Sequence, residues 1–274
     1  MLYILSGIFA RIFSNSYLNV FQKILTTKGN RPSVVNLFTY SGLSLLCLAL
    51  IPFFKISVSY ELVSNFIIMG IIGALGNYFI IKALSIGDLS SIAPINSYKP
   101  VIAMIIAFFY LKEIPSLSAI AGILLIIFGT YILYQKGEYN KKAVLYRIFA
   151  LIFSGSEAVF IKKIILLTNI PTSFALWAVA GLVFSFIFAM CSKHSLKLPQ
   201  IKELTLLVLS VAIMQYSTNY VFSKINVSYA LALFQLSTLL SVFLGVNLFH
   251  EKELKRKIIA SVIMIIGAVI IILN

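Results

Sequence analysis

Ten apolar segments, most of them close to 20 residues long, follow one another along this chain and are separated by short connections. A helix needs about 20 apolar residues to cross a bilayer. The chain is 61% hydrophobic and 11% charged, whereas a soluble domain is roughly half apolar and a quarter charged. We therefore predict an all-α integral membrane protein of ten transmembrane helices. The predicted spans are 2–22, 34–54, 62–82, 89–111, 117–134, 143–165, 172–191, 203–223, 228–249 and 256–273.

Basic residues lie mainly in the connections and produce a net charge of +14. In a soluble protein this charge would indicate nucleic-acid binding, but here the positions favour helix orientation and contact with anionic lipid headgroups. Most follow odd-numbered helices, at Lys23, Lys28, Arg31, Lys82, Lys136, Lys141, Lys142, Arg147, Lys193, Lys197, Lys202, Lys252, Lys255, Arg256 and Lys257. Those after even-numbered helices are Lys55, Lys112, Lys162, Lys163 and Lys224. The positive-inside rule then predicts both termini outside the cytoplasm.

Motifs of catalysis and metal binding do not occur in this sequence. HExxH, GxSxG, P-loop and paired-carboxylate patterns are absent, so we expect no enzyme activity, no catalytic residues and no cofactor. Cys47 and Cys191 lie in apolar segments, and His194 and His250 lie in connections without partners at metal-ligand spacing. We therefore expect neither a metal site nor a disulfide framework.

The two halves of the sequence repeat one another. Ile8–Ser16 (IFARIFSNS) matches Ile148–Ser156 (IFALIFSGS). Polar landmarks recur in the same order, with Asn77-Tyr78 matched by Asn219-Tyr220 and Glu113 matched by Glu251. Because each half holds five helices, an odd number, the second half enters the membrane from the opposite side. We predict inverted repeats over 1–136 and 137–274, with a polar cavity near mid-membrane at the interface of the halves.

The segment Ser90–Glu113 combines the length of a membrane span with Pro94, Lys99 and Pro100. A lysine facing lipid at the bilayer centre costs at least roughly 2.5–3.5 kcal/mol, so Lys99 is expected to face protein or water. Prolines at membrane depth free backbone groups and are common where a helix lines a cavity. We predict that Pro94 and Pro100 serve gating, because they let this helix bend.

Three charged residues are predicted to lie within helices, at Arg11, Lys99 and Glu157. Pairing of Glu157 with one base leaves one positive charge, which favours an anionic or zwitterionic solute. Glu157 has two interpretations that the sequence leaves open. It is either a structural counter-ion for Arg11 or Lys99, or a carboxylate that binds a proton or an organic cation.

Amides and aromatic residues extend this polar set along several helices. Arg11, Asn15 and Asn19 form one stripe on helix 1, and Gln215 and Asn219 form another on helix 8. Such residues either bond helices together or line a wet cavity. The predicted substrate-binding residues are Arg11, Asn15, Asn19, Asn77, Tyr78, Asn96, Tyr98, Lys99, Glu157, Gln215, Tyr216, Asn219, Gln235 and Thr238.

A further set of residues gives the chain a family resemblance. These are Lys82-Ala83-Leu84, Gly87, Ser90, Pro94, Pro100, Leu111-Lys112-Glu113, Gly122 and Gly129, with Glu251 and Gly267 in the second half. On them the chain resembles the drug/metabolite transporter superfamily, in its ten-helix EamA-type branch. It departs from that pattern at Thr238, where helix 9 would have proline, and at Ala260, where glycine would stand. The resemblance implies a cavity lined by helices 1, 3, 4, 6, 8 and 9. It also implies termini in the cytoplasm, contrary to the charge count, so the orientation stays open.

Together these features predict a secondary active transporter that moves a small polar metabolite, an amino acid or another zwitterionic or anionic solute, by alternating access. One alternative is a carrier of organic cations or drugs centred on Glu157, and another is a receptor or scaffold subunit without transport. The expected partners are the solute and membrane lipid, with a coupling proton or counter-substrate and a monomer or homodimer both left open. The expected location is the cytoplasmic membrane of a bacterium.

Overall fold

The computed structural model describes residues 2–86, 93–133, 140–191, 198–237, 240 and 254–273. Every regular element in these residues is helical, which confirms the predicted all-α class. Each predicted span overlaps an α-helix in the described residues. The α-helices are α1 Leu2–Thr27, α2 Pro32–Leu48, α3 Tyr60–Ile86, α4 Lys99–Tyr110, α5 Leu117–Leu133, α6 Lys141–Leu167, α7 Ile170–Cys191, α8 Ile201–Phe222, α9 Val227–Phe234 and α10 Leu254–Ile272. Short 3-10 helices lie at Ile51–Phe53 (η1) and Ala93–Tyr98 (η2).

Length and composition qualify four segments in the described residues to cross a membrane alone: Tyr60–Ile80, Lys141–Leu167, Ile170–Ile187 and Ile201–Phe222. Shorter apolar helices accompany them, and their outer surfaces are apolar as well. On α10, large side chains that face away from the protein are about half exposed, namely Ile259, Val262, Ile265, Ile266 and Val269. Such a continuous apolar surface is typical of contact with lipid.

The chain forms two compact units. Unit 1 comprises Met1–Ala74 and Phe160–Lys224, and unit 2 comprises Leu75–Val159 and Ile225–Asn274. The boundaries divide α3 and α6, so each unit takes helices from both sequence halves. The units therefore do not coincide with the predicted repeats over 1–136 and 137–274. The repeats are defined by similarity of sequence, whereas the units are defined by which helices contact one another. The inverted relation of the repeats stays a prediction.

In unit 1, α1 packs against α8 and α2 packs against α7. A Cβ placed on Gly7 would lie 2.9 Å from the ring of Tyr220, so the missing side chain lets α1 approach α8. Leu25, Val35 and Phe174 belong to the buried apolar cluster that α1, α2, α7 and α8 share. This unit is thus held by helices that come from opposite ends of the sequence.

In unit 2, α5 packs against α10 and α4 packs against α9. A Cβ on Gly122 would lie 2.7 Å from the carbonyl oxygen of Gly267, so these backbones are in close contact. Gly129 gives the same access to Met264, whose Cγ would lie 2.5 Å from an added Cβ. Close approach through small residues is a main source of helix association in membranes, where burial from water gives little driving force.

The span predicted over 89–111, whose first half Pro94, Lys99 and Pro100 were expected to interrupt, contains two kinds of helix in the structure. The α-helix begins only at Lys99, after the 3-10 helix over Ala93–Tyr98, and residues 89–92 lie outside the described residues. Pro100 causes the difference, because its ring would clash with a carbonyl one turn earlier inside a helix but is tolerated in the first turn. Pro100 accordingly lies in the first turn of α4.

Candidate functional site

Lys99 is the first residue of α4 and is partly buried. Helix α6 packs on this turn through Gly155, where an added Cβ would lie 3.0 Å from Cγ2 of Ile102 and 3.5 Å from the carbonyl oxygen of Lys99. A larger side chain at position 155 would push α6 away from α4. The lysine is therefore positioned by a break in one helix and by a glycine contact from another.

Glu157 also lies in unit 2, on α6, and is partly exposed. It is about 200° around the helix from Gly155, so it lies away from the line of contact with α4. Phe153, one turn before Glu157, stacks on Phe79 of α3 with ring centroids 5.7 Å apart and an interplanar angle of 8°. Glu157 thus lies on the side of α6 that packs toward α3, and its pairing with Lys99 stays a prediction.

On α3, Gly76 and Phe79 pack against α6, whereas Asn77 and Tyr78 are exposed. A Cβ on Gly76 would lie 3.4 Å from the backbone nitrogen of Ser154. The Nζ of Lys82 lies 5.7 Å from the centroid of the Tyr78 ring, within the range of a cation–π contact. These predicted site residues are therefore accessible rather than part of the helix–helix contact.

Further predicted residues of unit 2 lie in η2 and at the end of α9. In η2, Asn96 is partly buried and Tyr98 is 48% exposed. Gln235 caps the C-terminal end of α9, is 6% exposed and donates from Nε2 to the carbonyl of Leu231 at 3.5 Å. Pro94 lies in η2.

Several residues named from the sequence lie outside the described residues: Gly87, Ser90, His194, Thr238, His250 and Glu251.

In unit 1 the predicted residues are distributed over α1 and α8. Gln215 is 5% exposed and Asn219 is fully buried, and their side-chain amides lie 2.9 Å apart. With its oxygen turned toward α7, the Asn219 amide accepts from the backbone N–H of Phe174 at 3.2 Å. The Asn219 amide therefore joins α8 to α7, which is the structural role that amides commonly have between membrane helices, and Gln215 lies beside it on α8.

The other predicted residues of unit 1 are less buried. Arg11 and Asn15 are partly buried on α1, and Asn19 belongs to the same helix. Tyr216 is 38% exposed and packs edge to face against Phe174, with ring centroids 5.8 Å apart. The predicted residues thus belong to two separate compact units.

Glu113 has a role that the sequence argument did not assign. Its Oε2 accepts from the backbone N–H of Val227 at 2.9 Å, at the first residue of α9. The Ser116 N–H donates to the Tyr229 hydroxyl at 2.8 Å, which adds a second bond between the same segments. A carboxylate is favoured at a helix N-terminus because the unpaired N–H groups there are partly positive. The Leu111-Lys112-Glu113 motif marked this position in the sequence, but the residue that Glu113 contacts could be identified only from the packing of the helices.

Lys112 explains how Glu113 reaches that position. Its φ is 59°, in the left-handed region, and the N–H of Glu113 donates to the carbonyl of Ala107 at 3.2 Å. This is the common way in which a helix ends, although glycine usually takes the left-handed position. The turn ends α4 and directs Glu113 toward α9.

In the part of the chain that the structure describes, no three His, Cys, Asp or Glu residues lie together as a metal site would need.

Comparison with known proteins gives matches that cover almost the whole chain. The model of the EamA-like transporter family matches residues 1–135 and again residues 141–273. A solved crystal structure of a protein matches with a TM-score of 0.74 at 15% identity, over 96% of each chain, which shows a shared fold. Among curated proteins, none matches this sequence. The double family match divides the chain close to the midpoint at which its own sequence repeats.

Proposed function

Because the chain belongs to the EamA-like transporter family, we propose that it is a secondary active transporter that moves a small polar metabolite by alternating access. In this proposal each of the ten α-helices crosses the membrane once, in two inverted five-helix repeats, within a bacterial cytoplasmic membrane. The sequence holds no nucleotide-binding motif, so an ion gradient or exchange against a second solute is proposed to drive transport.

The observation that carries the proposed substrate class is the position of Lys99. It begins an otherwise apolar helix and is partly buried. A membrane helix keeps such a costly charge mainly where it faces water or a ligand. This positive charge favours an anionic group, such as the carboxylate of an amino acid.

A second candidate function is the transport of organic cations centred on Glu157. One observation favours it, because this partly exposed carboxylate lies one turn from Phe153 and its stacked partner Phe79. Aromatic faces together with a carboxylate are a common way to bind organic cations.

The test is ligand-dependent thermal stabilisation of the purified protein in detergent. The ligand panel holds amino acids, sugar phosphates, nucleotides, quaternary amines and lipophilic cations. Stabilisation by anionic or zwitterionic solutes, lost in Lys99→Ala and kept in Glu157→Gln, supports the proposal. Stabilisation by cations alone, lost in Glu157→Gln and kept in Lys99→Ala, refutes it and supports the second candidate.

A further inference from the structure

Connections that follow odd-numbered helices meet in unit 1. Asn30, after α1, donates from Nδ2 to Oε1 of Gln200, after α7, at 2.7 Å. Lys28 forms an ion pair with Glu203 beside it. The connection between α1 and α2 therefore lies on the same side of unit 1 as the connection between α7 and α8.

Connections that follow even-numbered helices also meet one another. In unit 1, Asn169, after α6, donates from Nδ2 to the carbonyl of Phe53, after α2, at 2.8 Å. In unit 2, the bond from Val227 to Glu113 joins the connection after α8 to the connection after α4. Each of these bonded pairs follows helices of one parity, as expected if every helix is a single crossing.

These two sets of connections carry different numbers of basic residues. The described odd-side residues include the exposed Arg31, Lys141, Lys142 and Lys202, whereas exposed even-side lysines are Lys55, Lys112 and Lys224. Ion pairs do not account for the difference, because each side has one among the described residues: Lys28 with Glu203 on the odd side, and Lys163 with Glu61 on the even side, where Nζ and Oε1 lie 2.7 Å apart. The odd set is larger in the sequence, because Lys136, Lys193, Lys197, Lys252, Lys255, Arg256 and Lys257 belong to it, the first four outside the described residues.

We propose that the odd-numbered connections form the surface that contacts the anionic cytoplasmic leaflet, so that the start of α1 and the end of α10 lie on the external side. Basic residues are held on that side because anionic lipid attracts them and because short basic connections resist translocation. The inference rests on the ten-crossing topology of the proposed function but not on its substrate. It assigns this chain the orientation opposite to the one that its family resemblance implies.

The test is labelling of single cysteines by a membrane-impermeant maleimide in intact spheroplasts and in permeabilised ones. The background carries Cys47→Ala and Cys191→Ala. Lys55→Cys and Lys224→Cys report the even side, and Lys141→Cys and Lys202→Cys are their matched controls on the odd side. All four positions are exposed, and each variant removes one lysine. We expect the even-side cysteines to react in intact spheroplasts and the odd-side cysteines to react only after permeabilisation.

The reverse pattern, or equal labelling of both sets in intact spheroplasts, overturns the inferred orientation and leaves the transport proposal standing. Disagreement within either set shows that a helix does not cross once, which overturns the topology on which the inference rests. A second readout needs no substitution: fusions after residue 274 to alkaline phosphatase and to green fluorescent protein. Active phosphatase in the first fusion and no fluorescence in the second support the inference, and the opposite result overturns it.

Discussion

The polar residues of α8 in unit 1 and those of α3, α4 and α6 in unit 2 look alike in sequence but have different surroundings. Gln215 and Asn219 are buried, and their amides lie beside each other and a backbone N–H of α7. In unit 2, Lys99 and Glu157 are partly exposed, and Asn77 is exposed. The first group is enclosed by protein, whereas the second is accessible at the surface of its unit and can meet a solute.

This difference shows that a polar stripe on an apolar helix does not by itself mark a binding site. An amide has both donors and an acceptor, so two amides one turn apart can satisfy each other. An ammonium group only donates hydrogen bonds and a carboxylate only accepts them, so each needs a partner of the other type. We therefore expect variants of unit 1 amides to change stability and variants of unit 2 charges to change binding.

The largest expected effect is that of Lys99→Ala on solute affinity. Loss of a partly buried charge partner costs about 2–5 kcal/mol of binding, which is a loss of at least roughly 30-fold. The free energy of unfolding without ligand should fall by less than the free energy of binding does. Binding isotherms and thermal unfolding on the same samples measure both, and Lys112→Ala, an exposed lysine just after α4, is the matched control. Equal losses in the two variants would remove Lys99 from the site.

Asn219→Leu should have the opposite profile. It leaves the buried amide of Gln215 without its partner, which should lower the free energy of unfolding by about 1–3 kcal/mol. Solute affinity should not change. The double variant Gln215→Leu with Asn219→Leu should recover part of the loss, because both amides are then removed. A single variant that loses affinity at unchanged stability would break the distinction between the two units.

Glu113→Ala tests whether unit 2 also holds a purely structural polar group. Removing the carboxylate leaves the N–H of Val227 without its acceptor, at an expected cost of about 1–2 kcal/mol in unfolding free energy. Glu113→Gln keeps an acceptor and should lose less. Both variants should bind solute as the wild type does, as measured by the ligand-dependent shift in melting temperature. A loss of binding in Glu113→Gln at full stability would assign Glu113 to the site.

The smallest expected effect is that of Lys112→Gly. The φ of 59° at Lys112 suits glycine, so the substitution should raise the free energy of unfolding by roughly 0.5 kcal/mol, because the left-handed strain that is relieved exceeds the entropic cost of glycine. Lys112→Ala keeps the unfavourable backbone position and should not stabilise. Thermal unfolding distinguishes them, and a stability gain in both would show that charge, not backbone conformation, is responsible.

Much of the fold could be predicted because hydropathy alone locates apolar helices. The interruption at Lys99 was also visible as Pro94 and Pro100, but the start of the α-helix there required the rule that proline belongs to a first turn. The two compact units could not be predicted. Sequence repetition shows that the halves share an origin, whereas contacts such as Gly122 with Gly267 show that their helices pack together.

The site could be predicted only as a set of residue types. Charges such as Lys99 and Glu157 stand out because they are rare in apolar helices. Their neighbours could not be found, since Gly155 gives no sign in the sequence that it contacts α4. The role of Glu113 was missed for the same reason, because its partner Val227 is more than a hundred residues away.

The pairing of α5 with α10 also has a consequence during synthesis. Helix α5 ends at Leu133 and its partner begins at Leu254, so the ribosome must add another 120 residues before the glycine face of α5 can be covered. At about 5–20 residues per second this interval lasts on the order of ten seconds. During that time the face with Gly122 and Gly129 can be met by lipid, by the insertion machinery or by other segments. Unit 2 can therefore be completed only after α10 has been synthesised.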